Sequence, residues 1–156
     1  MARYTGTVEA PHSAEEVWRY LADLRSIREW DPSVKSVELT GGEPRVEDAT
    51  YELEVSFGGR SITLPYRIVE ADAPHRVVFA AETEAVTVRD EARIDPIGDS
   101  ASRVTWNAEL RLRGVRRLLD LPLRALFNRL GEDARKGLGE RLGKTVLDGS
   151  MAGVRG

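Results

Sequence analysis

At 156 residues the chain has the length of one ordinary domain, able to bury a core and still enclose a cavity. Its 41% hydrophobic and 31% charged residues, with a net charge of -3, are the composition of a soluble globular protein. The absence of cysteine excludes disulfides, thiolate metal sites and cysteine nucleophiles, and no apolar run follows Met1, so the expectation is a cytoplasmic protein without signal peptide or membrane span.

Arg3 to Glu9 reads as a first strand, stopped by Pro11, which cannot donate to a ladder. Ser13 with Glu16 three residues later is a capping-box pattern and opens a helix carrying Val17, Trp18 and Leu21 on one side. Leu24 and Ile27 continue in a second short helix that ends at Asp31-Pro32. A run of strands follows. Val34 to Leu39 alternates and stops at Gly41-Gly42. Tyr51, Leu53, Val55 and Phe57 alternate with polar residues, as in a strand wet on one face. Gly58-Gly59 signals a hairpin, after which Ile62, Leu64, Tyr66 and Ile68 point inward. Beyond the Ala73-Pro74-His75 turn come Val77, Phe79 and Ala81, then Val86, Val88, Asp90, Ala92 and Ile94. The last strand sends Val104, Trp106, Ala108, Leu110 and Leu112 inward.

From Val115 the period changes. Leu119, Leu123, Leu126, Phe127, Leu130, Ala134, Leu138 and Leu142 recur every three or four residues, an amphipathic helix whose main part starts near Pro122. The Gly-rich end, 148–156, reads as a disordered tail behind a single domain of residues 1–147.

The charge is unevenly spread: six arginines lie between Arg111 and Leu130 against one acid, Asp120. A solvated helix face explains them; contact with an anionic surface is the sharper alternative. With a pI near 5.5 and no basic groove interleaved with aromatics, no nucleic-acid partner is expected. His12, before a helix cap, and His75, in a Pro-containing turn, both read as surface residues. With two histidines, no cysteine and no clustered inward carboxylates, no metal or other cofactor is expected.

This order of elements, with Ala10-Pro11, Val17-Trp18, Leu21, Asp23, Trp30 and Asp31-Pro32 near its start, resembles the START-like, Bet v 1-like superfamily, and within it the bacterial polyketide cyclase/dehydrase and lipid-transport (SRPBCC) branch. The resemblance spans residues 3 to 146 or so. It implies an α+β helix-grip fold: a curved seven-stranded antiparallel sheet wrapped around a long C-terminal helix, with two short helices after the first strand and a hydrophobic cavity between sheet and helix. One departure is the loop Thr40-Gly41-Gly42-Glu43-Pro44, which lacks the lysine of the plant-allergen branch, so no phosphate-cradling role follows for it.

In such a fold Trp18, Trp30 and Phe79 read as core, whereas mid-strand Tyr66 and Trp106 sit where the cavity is widest. The candidate ligand-contacting set is Tyr51, Phe57, Tyr66, Val88, Asp90 and Trp106 from the sheet, with Phe127, Gly131 and Ala134 from the last helix. Asp90 breaks the apolar pattern of its strand. It turns outward at a bulge, pairs with a helix arginine such as Arg129, or anchors a ligand. The helix glycines either leave volume for a ligand or let the helix approach the sheet. The functional expectation is binding or transport of a hydrophobic or amphipathic small molecule (lipid, isoprenoid or polyketide-like). The alternatives are a polyketide cyclase/dehydratase-type enzyme and a protein-interaction module. A weak anionic-membrane contact through Arg113, Arg116 and Arg117 at the cavity mouth is the accompanying expectation.

Overall fold

The structure, a computed structural model, describes residues 1–114 and 120–143. The expected tail at 148–156, and Leu119 of the expected helical stripe, lie outside the described residues. Seven antiparallel strands form one sheet: β1 (Ala2–Ala10), β2 (Val34–Gly41), β3 (Thr50–Phe57), β4 (Arg60–Asp72), β5 (Arg76–Glu82), β6 (Val86–Gly98) and β7 (Ala101–Leu112). Their order in space is β1-β7-β6-β5-β4-β3-β2. β1 and β2, neighbours in sequence, are thus the two edges, and the segment between them must cross one end of the sheet. That segment holds helix α1 (Ala14–Ala22) and a short 3-10 helix (Leu24–Glu29). The long helix α2 (Asp120–Leu142) lies against β1. This is the helix-grip arrangement.

Local chemistry accounts for the boundaries. Ser13 Oγ accepts from the Glu16 amide at 3.2 Å and donates to the Glu16 carboxylate, so the α1 N-terminus is capped by the residues expected to cap it. At the β3–β4 hairpin Phe57 pairs with Arg60, leaving a two-residue loop, and Gly58 and Gly59 both have positive φ (58° and 80°). Such a turn needs φ above zero twice, which glycine supplies without a Cβ clash. Among the described residues helix α2 runs from Asp120 to Leu142, in keeping with a main helix expected from near Pro122.

The sheet's inner face is core at one end. Tyr51, Leu53, Ile68, Phe79, Ile94 and Val17 are fully or nearly fully buried there, and Trp18 Nε1 donates to the Arg76 carbonyl at 2.9 Å. The same end holds a buried polar corner. Asp23 caps the 3-10 helix by accepting from the Arg25 amide and receives three further bonds from the Arg25 guanidinium, with Tyr51 Oη at 3.5 Å. These bonds hold the Asp23 carboxyl below its ordinary range despite its burial.

His12 departs from the surface position expected of it. It is 7% exposed, its carbonyl accepts from Ser102 Oγ at 3.0 Å, and its Nδ1 lies 3.6 Å from Glu16, while Nε2 has no partner among the described residues. His75 sits in an exposed turn, as expected.

The glycines of α2 are sites of close approach. A Cβ built on Gly131 would overlap the Tyr4 ring, and one on Gly137 would overlap the backbone carbonyl of Trp30. Around them Tyr4 Oη donates to Glu132 at 2.8 Å, and Glu29 accepts from Tyr20 Oη at 2.6 Å and from Arg141 at 3.2 Å. Leu138 and Leu142 are buried beneath the helix. Helix α2 is therefore clamped to β1 and to the 3-10 corner at its C-terminal half.

Candidate functional site

Where α2 bridges from that clamp toward the β3–β4 hairpin, sheet and helix do not meet, and a cavity of about 120 Å³ remains. A buried water needs roughly 10–15 Å³ by the same measure, so the space exceeds a water or two several-fold. It is partly open to solvent. Leu53, Val55 and Phe57 of β3 line one side with Ile62, Leu64 and Tyr66 of β4; Val88 and Asp90 of β6 and Val104, Trp106 and Ala108 of β7 form the floor. Phe127, Leu130, Gly131, Ala134 and Leu138 of α2 close the top. This wall follows from alternation within each strand and from register: every second residue of a strand shares a face, and directly paired residues on adjacent strands share it too.

Of the residues singled out in the sequence, Phe57, Tyr66, Val88, Asp90, Trp106, Phe127, Gly131 and Ala134 come together on this wall. Tyr51 does not. It is 1% exposed and belongs to the Asp23 corner, where burial and the Asp23 charge push its hydroxyl up to about 12. Trp30 is in the core, as expected, 5% exposed, and also reaches the wall. Its indole meets Trp106 edge-to-face at 5.1 Å and 72°, and Trp106 stacks on Phe79 at 6.5 Å. Such pairs add to the burial of the rings themselves. Five polar wall residues escaped the sequence reading: Tyr4, Asp31, Ser33, Ser56 and Arg135. Of these only Asp31 carried a signal, its place beside Trp30 in the segment that links the two sheet edges.

Asp90 is the chemical centre of the wall. It faces inward, 7% exposed, and Tyr66 Oη donates to its Oδ2 at 3.1 Å. The contact spans β5, where Ala81, the residue paired with Tyr66, is small enough to let the ring reach over. Neither outward alternative holds: its pairing with Phe79 and Ala108 is regular, without a bulge, and Arg129 is exposed on α2. Burial raises the Asp90 carboxyl to about 7, Asp31 adds to the rise, and the Tyr66 hydrogen bond opposes it. Burial beside Asp90 pushes the Tyr66 hydroxyl well above its ordinary value. Asp31 accepts both bonds of Ser33, amide and hydroxyl, at 2.9 and 2.7 Å, and burial raises its carboxyl too.

Arg113, named for a membrane contact, is held by Glu82 and the Thr83 carbonyl, both at 2.9 Å. Arg116 and Arg117 lie outside the described residues. No helix among the described residues is long and apolar enough to cross a membrane, and among them no three metal-ligating side chains converge.

The comparisons agree with this architecture. A START-superfamily protein from Mycobacterium smegmatis superposes with a TM-score of 0.75 at 16% identity over 91% of this chain and 97% of its own. A protein from Thermus thermophilus gives 0.75 at 21% identity over 90% and 96%. The Zhui aromatase/cyclase from Streptomyces sp. R1128 gives 0.63 at 20% identity over 98% and 88%. At these identities the likeness is one of fold. No curated protein matches the chain. The family profile described as polyketide cyclase / dehydrase and lipid transport matches residues 1–143, nearly the whole sequence. The chain belongs to the polyketide cyclase/dehydrase and lipid-transport family.

Proposed function

We propose that this protein binds or carries a hydrophobic or amphipathic small molecule, of lipid, isoprenoid or polyketide type, in the cavity beneath α2. The observation that carries this reading is the wall itself: a mostly aliphatic and aromatic surface around about 120 Å³, with a few fixed polar groups. Small-molecule sites have this make-up, because apolar area supplies affinity and sparse polar groups supply orientation. The family's description, polyketide cyclase / dehydrase and lipid transport, names polyketides and lipids, which supports a ligand of this kind.

The test is titration with the neutral apolar fluorophore N-phenyl-1-naphthylamine. Binding in the micromolar range is expected, about -8 kcal/mol, with a change in tryptophan emission from the Trp30–Trp106 pair. Ala134→Phe fills the cavity from the helix side and should weaken the probe at least tenfold while far-ultraviolet circular dichroism stays unchanged. Trp106→Phe should remove most of the tryptophan response. A probe that binds Ala134→Phe as well as the parent protein sits elsewhere, and the reading fails.

A second reading, an enzyme of the cyclase/dehydratase kind, is favoured by one observation. The buried Asp90 carboxyl accepts from a tyrosine hydroxyl on an apolar wall, and burial raises it to about 7, the range in which a general acid or base works best. Under that reading Asp90→Asn lowers turnover of a poly-β-ketone surrogate by about a hundredfold or more, the usual weight of one such group. Carriage alone predicts no turnover to lose.

A further inference from the structure

The charged groups on the cavity wall are unbalanced. Asp90 projects from β6 and Asp31 from the loop after the 3-10 helix. Each has one committed oxygen: Asp90 Oδ2 accepts from Tyr66, and Asp31 Oδ1 takes both Ser33 bonds. The other oxygen of each has no hydrogen-bond partner among the described residues. Among those residues the wall carries one cation, Arg135, and Glu132 beside it already forms its ion pair. The same wall is rich in aromatic rings, among them Trp30, Trp106 and Tyr66, the first two set at 72° to each other. Two carboxyl groups with spare acceptor oxygens and an aromatic lining suit one class of head group. An ammonium supplies several donors, balances the two acids and is attracted to ring faces. A carboxylate there would add a third negative group in a partly desolvated space, which costs strongly.

We infer that the cavity is selective for charge: its ligand joins an apolar body to a protonated amine seated between Asp90 and Asp31, and anionic lipids and acids are excluded. This rests on the binding reading and narrows the ligand class within it. Asp90 is faced by Tyr66 from β4, by uncharged Phe79 and Ala108 from β5 and β7, and by Asp31; the Arg135–Glu132 pair lies on α2. With its carboxyl raised to about 7, Asp90 must lose its proton to meet a cation, so amine binding weakens as pH falls below that value.

Three naphthalene probes of one shape test this: 2-naphthylmethylamine, 2-naphthalenemethanol and 2-naphthoate, titrated calorimetrically at pH 7.5. The expected order is amine at least tenfold tighter than alcohol, and alcohol at least tenfold tighter than carboxylate. Moving from pH 8.5 to pH 5.5 should weaken the amine by about thirtyfold, tenfold for each unit below the Asp90 value, and leave the alcohol within about threefold. Asp90→Asn should bring amine and alcohol within about threefold of each other, with Asp31→Asn giving a smaller shift in the same direction. A carboxylate that binds as well as the alcohol, or an amine preference that survives Asp90→Asn, overturns the charge selectivity while leaving an apolar binding site. Failure of all three probes to bind would instead overturn the binding reading on which it rests.

Discussion

Replacing Asp90 by asparagine should make the protein more stable at pH 8, by about 2–4 kcal/mol, and leave its stability at pH 4 within about 0.5 kcal/mol of the parent. In the folded protein the Asp90 carboxyl is raised from 3.8 to about 7, chiefly by burial. A raised acid keeps its full contribution below the unfolded value and loses it as pH climbs through the folded value. The parent protein therefore loses stability between about pH 4 and pH 7 as the unfolded chain ionises and the folded chain resists. At about 1.4 kcal/mol per unit the full loss is roughly 4 kcal/mol, and structural relaxation reduces it. Asparagine has the shape of the neutral acid, and its amide oxygen can still accept from Tyr66 Oη. It keeps the 3.1 Å hydrogen bond and abolishes the slope. Urea denaturation of both proteins across the pH range checks this, and Tm at pH 8 should rise by roughly 5–12 °C. Because the comparison is a difference, other titrating groups such as Asp31 cancel to first order. Parallel stability curves for the two proteins would mean that Asp90 is not buried on the cavity wall. A residue that destabilises the fold at neutral pH and remains on the wall fits a functional group better than a structural one.

Alanine at position 137 should destabilise the protein by about 2 kcal/mol or more, although alanine is the better helix former by about 1 kcal/mol. The Gly137 Cα lies against the Trp30 carbonyl, and the added Cβ would overlap that backbone oxygen, which cannot rotate away. Relief requires α2 to lift from the 3-10 corner, loosening the Arg141–Glu29–Tyr20 link and the Leu138 and Leu142 contacts. Gly131→Ala meets the Tyr4 ring instead, a side chain able to tilt, so its cost should be smaller. At Gly139 the new Cβ would stand 3.5 Å from Val8 Cγ1, an ordinary contact, and alanine there should be neutral or stabilising by up to about 1 kcal/mol. Helix propensity alone predicts gains at all three positions. Chemical denaturation of the three single variants separates the accounts, and a gain at position 137 would show that α2 does not rest on Trp30.

Much of this architecture was legible in the sequence, because β-strand side chains alternate with a fixed period of two. The parity along Val86, Val88, Asp90, Ala92 and Ile94 places Asp90 on the inner face without further information, and the same rule places Tyr66 and Trp106 beside it. Ser13 and Gly58-Gly59 mark their cap and turn by chemistry that acts within three residues. What parity does not encode is curvature. Tyr51 and Phe57 share one face of β3, yet the first packs into the Asp23 corner and the second lines the cavity, because the sheet closes at one end and gapes at the other. The wall positions beside the 3-10 helix are not encoded in a period for a related reason. Trp30 and Asp31 have no periodic neighbours to give them a face, and their place on the wall follows from how the connection crosses between sheet edges. The glycines of α2 permitted both a widened cavity and a close approach. Only the positions of Tyr4 and Trp30, remote in sequence, decide for approach at 131 and 137. Nothing local to His12 signals its burial, which depends on contacts with Ser102, remote in sequence, and with Glu16.

The central claim is that the space between α2 and the sheet receives the ligand. The measurement that tests it most directly is a two-dimensional NMR titration of the isotopically labelled protein with N-phenyl-1-naphthylamine. The account predicts shift changes concentrated at the indole resonances of Trp30 and Trp106, the methyl groups of Val88, Leu64 and Ala134, and the amides around Asp90 and Phe127, saturating together with one affinity. Outward-facing positions such as Thr63 and Arg103 should stay still. Changes confined to the outer face of the sheet, or spread evenly without saturation while the Trp106 indole does not move, would contradict it.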